Sequence, residues 1–298
     1  MLRPGVTIVI PAYNRQDELK RCLDSIYAQT LRPAQIIVVD DGSTDLTADV
    51  ARGHKAGVTL IEGPHAGAAA ARNLGLENVT TEWTMFFDSD DTMNPDHIEN
   101  AMKGASDSVD VVGWDVNYYY LSGKRRTFAF ATRNLSWHNL MHGSFSTQRY
   151  MARTDLFRRA GGWNTSLTLW DDIELGERLL QLNPRVTKVG GRAVNIYQTD
   201  NSITGVRRSG TVDAARKAFE AFATLYTGPK SKWIDLKKAI EAGAVARENR
   251  EAGSHFLKSL EPLSRASRVA YRYQRMGGRG TARLFRPFFN NPLSPKHR

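Results

Sequence analysis

The stretch Met85-Phe86-Phe87-Asp88-Ser89-Asp90-Asp91 decides how the chain is read. An apolar run with two adjacent phenylalanines has the pattern of a strand buried on both faces, and it stops abruptly in three carboxylates. Asp88 and Asp90 form an Asp-x-Asp pair, a source of hard oxygen ligands for a divalent cation such as Mg2+ or Mn2+, with positions left for water and phosphate oxygens. Taken alone, the same pattern also describes a strand end with a helix cap. Asp91 stands four residues before Pro95, and a helical stretch from Pro95 to Lys103 follows. The flanking segments decide between the two.

Upstream, short β-branched runs alternate with helical patterns. Val6 to Ile10 reads as a strand broken by Pro11-Ala12-Tyr13-Asn14. Glu18 to Tyr27 has helical spacing, with Leu19, Leu23 and Ile26 on one face. Gln35 to Val39 is a second buried strand ending in Asp40-Asp41-Gly42-Ser43-Thr44-Asp45, followed by a helix from Leu46 to Arg52. Val58 to Glu62 is a third strand, Ala66 to Leu76 a small-residue helix, and Trp83 to Phe87 the fourth strand. This alternation implies right-handed crossovers and a mostly parallel sheet with helices on both faces, in which ligands bind beyond the carboxyl ends of the strands.

Pro11 to Asn14, Asp40 to Asp45 and Asp88 to Asp91 all fall at those ends. Asp40 can accept a hydrogen bond from a base imide, Pro11 or Tyr13 can pack on a base, and Arg72 can pair with a phosphate or with the acidic rim. Each has a plainer alternative: Asp40-Asp41-Gly42 is an ordinary turn signal, Tyr13 suits a core, and Arg72 suits a solvated helix face.

Downstream, 110–120 and 127–131 are strand-like, 145–152 reads as another strand, and Asp155 to Arg159 as a short helix. His138 and His142 share a helix face at i, i+4, but no third ligand stands near them, so polar surface is the favoured reading. Gly161-Gly162-Trp163 then introduces Trp170-Asp171-Asp172-Ile173-Glu174, which opens a helix running to about Leu182. A helix N-terminus favours ionised carboxylates, which suits a base at neutral pH; the plainer role is a helix cap.

The 298 residues suffice for one large domain or for one domain with an appendage. The single cysteine, Cys22, excludes an internal disulfide. No run reaches the eighteen or so apolar residues of a membrane span, and Val6 to Ile10 is too short for a secretory signal, so the expected location is the cytoplasm. The net charge of +10 is uneven. Residues 1–150 hold 14 Lys+Arg against 18 Asp+Glu, whereas residues 151–298 hold 27 against 13.

Taken together, Thr7 to Asn14, Ile37 to Asp45, Gly67 to Gly75 with Ala71-Arg72-Asn73, Phe86 to Asp91, Gly161-Gly162-Trp163 and Asp171-Asp172 closely resemble the ordered motifs of family 2 glycosyltransferases with the GT-A fold. The resemblance spans roughly residues 5–205. It implies an α/β, Rossmann-like GT-A domain over 1–205, with a nucleotide-sugar half to about 105 and an acceptor half from about 106. It also implies an inverting, metal-dependent transfer from a nucleoside-diphosphate sugar, UDP-linked by preference, to a hydroxyl of a glycan or lipid-linked acceptor. By matching position, Pro11, Tyr13, Asp40, Asp41, Arg72, Asp88 and Ser89 would hold the nucleotide sugar. Asp90 and Asp88 would hold Mn2+ or Mg2+. Asp172 would be the general base, with Asp171 its neighbour. Two departures stand out: the family's pair is commonly Glu-Asp, and the histidine many relatives carry after the last core strand is missing from Tyr197-Gln198-Thr199-Asp200-Asn201-Ser202. A nucleotidyltransferase of similar fold has no evident use for Asp171-Asp172.

Beyond about residue 205 the motifs stop, and 206–298 reads as a helical extension with helices at 212–225, 233–250 and 263–276. From Pro262 to Arg298 there are nine basic residues and no acidic one. Arg265, Arg268, Arg272, Arg275 and Arg279 fall on one helical face, with Val269, Tyr273 and Met276 expected largely elsewhere. Aromatic Leu284-Phe285-Arg286-Pro287-Phe288-Phe289 follows. Two readings of 262–298 stand side by side: attachment to the anionic cytoplasmic face of a membrane, or packing against the acidic catalytic domain or a partner subunit. No nucleic-acid partner is expected, because no recognition signature accompanies the basic residues; a homo-oligomer remains compatible.

Overall fold

Sequence period and burial agree along the first strand: β1 (Arg3–Ala12) buries Ile8 and Ile10 on one side and Val9 on the other. The computed structural model describes residues 2–199, 208–260, 263–279 and 281–289. After β1 come α1 (Gln16–Tyr27), β2 (Gln35–Asp40), α2 (Thr47–Gly53), β3 (Thr59–Glu62), α3 (Ala68–Glu77), β4 (Thr81–Phe86), the two-residue β5 (Thr92–Met93) and α4 (His97–Lys103). Then follow β6 (Val111–Tyr119), β7 (Arg125–Phe128), α5 (Leu135–His142), β8 (Tyr150–Arg153), α6 (Thr154–Arg159), α7 (Asp171–Gln181) and β9 (Val186–Tyr197). The remaining helices are α8 (Val212–Leu225), α9 (Ser231–Glu248), α10 (Arg250–Ser259), α11 (Arg265–Arg275) and α12 (Thr281–Phe289).

One sheet runs in the order β3-β2-β1-β4-β8-β6-β9-β5, with β7 paired to β6. The first four strands are parallel, so their carboxyl ends line one rim. Beyond them the sheet is mixed: β8 is antiparallel to β4 and β6, while β6 and β9 are parallel. Each face carries its own core. Leu19, Leu23, Met85, Phe87 and Trp114 join Ile8 and Ile10, and Val39, Phe86, Phe157, Trp163 and Leu175 join Val9. The described residues divide into two compact units, one holding residues up to 199 except 140–142, the other holding 140–142 with 208 onward. No helix among the described residues is long and apolar enough to cross a membrane.

Several sequence expectations are corrected. Only Tyr150–Arg153 of 145–152 is strand, because the preceding backbone is spent on local bonds: Phe145 N–H donates to Asn139 Oδ1 (3.2 Å), Ser146 N–H to the Gly143 carbonyl (3.1 Å), and Thr147–Arg149 is a 3-10 turn. The helix expected over 233–250 stops at Glu248, and a further helix, α10, follows it. Asn249 ends α9 in an extended conformation and caps α10, its side chain accepting from the Ala252 N–H at 3.0 Å. Asp91 caps nothing; its Oδ1 accepts the Tyr197 N–H at 3.0 Å, which ties the segment between β4 and β5 to β9. On α11, Val269 and Met276 do not turn away from the arginines. They stand 50% and 77% exposed on the same outward side as Arg265, Arg268 and Arg272, whereas Ser267, Ala270 and Tyr271 are buried. The aromatic run after Gly280 is part of a helix, α12.

Helix α3 lies so close to β1 that a Cβ on Gly75 would sit 2.3 Å from Val9 Cγ1 and 3.3 Å from Val39 Cγ2. Gly75→Ala is therefore expected to destabilise the first unit by about 1–3 kcal/mol through overpacking, against the gain of up to ~1 kcal/mol that helix propensity alone would bring. Urea unfolding of the two proteins measures the difference.

Candidate active site

Three loops build the polar rim. Asn14, at φ +50°, accepts the Thr44 N–H on its Oδ1 (2.8 Å) and donates its own N–H to Ser43 Oγ (2.9 Å), while the Arg15 N–H meets Thr47 Oγ1 at 2.8 Å. These bonds stitch the β1 loop to the β2 loop. Pro11 is buried opposite Val39, and Tyr13 stands 42% exposed against the His65 ring, centroids 4.2 Å apart. Asp40 is buried. Its Oδ2 accepts the Ser43 N–H at 3.3 Å, and its Oδ1 has no partner. Asp41, the other half of that pair, has both oxygens taken by backbone, from Ala66 N–H and Gly67 N–H at 2.8 Å each. Its geometry holds the loop entering α3 and leaves Asp40 as the acceptor with spare capacity.

Arg72 projects from α3 into the centre of the site. It donates to Asp88 Oδ1 (2.8 Å) and Asp171 Oδ2 (3.2 Å), and its guanidinium lies 4.4 Å from the centroid of the Trp163 ring. Its Nε is buried with no partner. Asn73, the next residue, holds that ring in place: its Nδ2 donates to the Trp163 carbonyl (2.9 Å) and its Oδ1 accepts the Trp163 N–H (2.7 Å). Gly162, at φ +68°, makes room for this clamp, since a Cβ there would fall 2.6 Å from Asn73 Oδ1.

Around the Asp-x-Asp stretch, Asp88 Oδ2 also accepts from Gln148 Nε2, Ser89 is buried, and the Asp90 carbonyl accepts from Arg21 (2.7 Å), whose guanidinium lies 4.8 Å from the centroid of the Tyr197 ring. Burial, with the Asp88 charge beside it, pushes the Asp90 carboxyl up to about 6. Asp91, buried more deeply, is also raised, by desolvation and by Asp90 and Asp88, and its Oδ2 has no partner. Among the described residues no three His, Cys, Asp or Glu side chains form a metal-holding group, and His138 and His142 belong to none. Asp88 and Asp90 nonetheless have the donor chemistry of a divalent-cation site completed by ligand and water oxygens.

Asp171 and Asp172 are the first two residues of α7, preceded by Trp170 at φ +57°, and the helix has no side-chain cap. The cap expected of one of them is absent because both already lie inside the helix. Asp172 Oδ1 accepts the Ile173 N–H at 2.7 Å. Arg72 engages Asp171 directly and Asp172 only through its charge. Burial first, then the adjacent Asp171 charge, raises the Asp172 carboxyl to about 7. Asp171 is also raised, by burial, with Arg72 opposing.

The structure thus joins Arg72, Asp88, Asp171 and Asp172 in one cluster and sets Pro11, Tyr13 and Asp40 on the rim of the same sheet. Sequence reading missed Gln148, whose neighbours carry no motif, and Arg21, a helix arginine without distinguishing context. It also missed Arg149, a buried cation that donates to the Gly143 and Ala129 carbonyls at 2.6 and 2.5 Å and carries its charge near Asp172.

Residues 7–163, just over half the chain, match the model of the family described as glycosyl transferase family 2. Among curated relatives, glycosyltransferase GlyA of Streptococcus pneumoniae is 34% identical over 148 residues, covering 47% of this chain and 20% of that protein. The succinoglycan biosynthesis protein ExoW of Rhizobium meliloti is 36% identical over 128 residues, covering 39% and 40%. The matched portion is thus two fifths or less of these relatives' length. Among solved structures, S. aureus TarS 1-349 in complex with UDP-GlcNAc superposes with TM-score 0.65 at 16% identity over 96% of this chain and 91% of that one. Mannosyltransferase PcManGT from Pyrobaculum calidifontis, in complex with GDP-Man and Mn2+, superposes with TM-score 0.60 at 20% identity over 97% and 84%. The shared fold is GT-A.

The charge state of Asp172 carries a stability signature. Its folded-state value lies above the ordinary one, so ionisation costs the fold nothing below pH ~4 and progressively more as pH rises toward about 7. Asp172→Asn, which keeps an oxygen for the Ile173 N–H, is expected to match wild type near pH 4 and to be more stable at pH 8. The gain is on the order of 1–2 kcal/mol once solvent screening is allowed for. Thermal unfolding across that pH range measures it.

Proposed function

Because the chain belongs to glycosyl transferase family 2, we propose that it transfers a sugar, with inversion, from a nucleoside-diphosphate sugar to a hydroxyl of a glycan or lipid-linked acceptor. The observation that carries the reading is the Arg72 bridge between Asp88, just past β4, and Asp171, at the start of α7, because it joins a donor subsite to the neighbour of the candidate base. In this reading the Asp40 oxygen without a partner accepts the imide N–H of the base, Tyr13 packs against its ring, and Asp88 holds the ribose. A UDP-sugar is the favoured donor. A uracil imide suits a single free acceptor, and TarS is a structural neighbour solved with UDP-GlcNAc.

Asp90 and Asp88 would hold a divalent cation, Mn2+ or Mg2+, which when bound neutralises charge gathering on the departing diphosphate. The acceptor hydroxyl attacks the anomeric carbon from the face opposite the diphosphate. Asp172 takes the hydroxyl proton, and the nucleoside diphosphate leaves without being protonated, so a single carboxylate base suffices. Arg72 favours the ionised form of Asp171, and that fixed negative charge strengthens the hold of Asp172 on the proton it accepts. The relationship to ExoW, named for succinoglycan biosynthesis, supports a place in the building of surface polysaccharide or glycolipid.

Thermal unfolding with UDP, GDP, dTDP and CMP, each with and without Mn2+, tests the donor site. One nucleotide at about 100 times its Kd is expected to add ~2.7 kcal/mol, to need the metal, and to lose the effect in Asp90→Ala. No shift with any nucleotide would overturn the site. Asp172→Asn should keep the nucleotide shift and lose turnover by at least about 100-fold, the scale of a general base; near-normal turnover in that variant would remove Asp172 from the role.

A further inference from the structure

The outward face of α11 mixes two kinds of side chain that rarely share a surface without a partner. Arg265, Arg268 and Arg272 are exposed together with Val269 (50%) and Met276 (77%), and the surface continues through exposed Arg279 and Arg283 to Leu284 (54%) on α12. The opposite face of α11, with Ser267, Ala270 and Tyr271, is buried, and α9, α11 and α12 pack on one another. Tyr273 meets Phe285 at 6.1 Å, and the Thr281 hydroxyl donates to Gln274 Oε1 at 2.5 Å, so α12 is pinned against α11. Helix α11 opens with Arg265 and has no acidic residue in its first turn. A cation at the positive end of a helix dipole is unfavourable, so the dipole, which favours Arg272 and Arg275 in the last turn, does not account for Arg265. No acidic residue occurs from 262 to 298.

We propose that this face docks the protein onto an anionic lipid surface. Arginines fit the negative headgroups, and Val269, Met276 and Leu284, standing among them, enter the boundary between headgroups and acyl chains. A nucleic acid would use the same cations but has no need of exposed methionine and leucine between them. The inference stands independently of sugar transfer.

The test is flotation of the full chain with vesicles of phosphatidylcholine alone or mixed with phosphatidylglycerol, at low and high salt. Two sets of exposed substitutions are compared, Arg265→Ser/Arg272→Ser/Arg279→Ser and Met276→Ser/Leu284→Ser, with circular dichroism confirming that each variant folds. Binding is expected only to phosphatidylglycerol vesicles and to weaken with salt. It should fall about five-fold per arginine removed, roughly 100-fold for the triple variant, from ~1 kcal/mol per basic residue, and several-fold for the apolar double variant. Equal binding to both vesicle types, or binding unchanged in both variants, would overturn the proposal. So would duplex DNA binding that the arginine variant loses and the apolar variant keeps, which would assign the face to a polyanion. A dimer in solution lost in either variant, without vesicle binding, would assign it to a second copy.

Discussion

The ion pairs of Arg72 with Asp88 and Asp171 are the constraint on which the candidate site depends. One guanidinium bridges the end of a sheet strand and the first turn of a helix, Asp171 lying 99 residues from Arg72 in sequence. It is 7% exposed, so its charge is not diluted by solvent, and a carboxylate left without it there would be costly. Its planar fork reaches both partners at once and also lies over an indole ring, which a lysine ammonium could not reproduce. The same bridge makes the two neighbouring aspartates unequal: Asp171 is paired with the cation, and Asp172 is not.

Holding that guanidinium takes much of the surrounding core. Trp163 stands edge-on to Phe86, at 5.1 Å between ring centroids, and Phe86 lies one strand turn before Asp88. Asn73 binds the Trp163 backbone on both sides, and Gly162 leaves room for it. The small residues of α3 let that helix settle onto β1 and β2, and this sets the depth at which Arg72 enters. Stability is given up locally. Asp90, Asp91 and Asp172 all resist ionisation, a cost that persists in a folded protein where a site requires charge at close quarters.

The C-terminal unit follows a different logic. Its central helix α9 buries residues around its circumference, Ile234, Leu236, Ala239, Ala242 and Val245 among them, and α8, α10, α11 and α12 pack on it. With the inward sides of these helices committed to α9, the arginines of α11 are left outward, and with them Val269 and Met276, which the helical period sets on the same face.

Legible in the amino-acid order are the alternation of buried strands and helices, the polar strand ends, and Asp40, Arg72, Asp88, Asp90, Asp171 and Asp172 as candidate site residues. Strand period and helix caps are local, and strand ends on parallel strands share a rim by topology. Tertiary structure alone decided which carboxylates meet which cation. Gln148 and Arg149 lie in a stretch whose strand pattern was overridden by turns, and their importance comes from what faces them across the sheet. That Asp41 serves a backbone loop while Asp40 keeps a free oxygen also depends on where α3 begins, a position set by packing. On α11 the outward side followed from the position of α9. Amphipathic period reports that a helix has two faces, and only the neighbour it packs against determines which one is left to solvent.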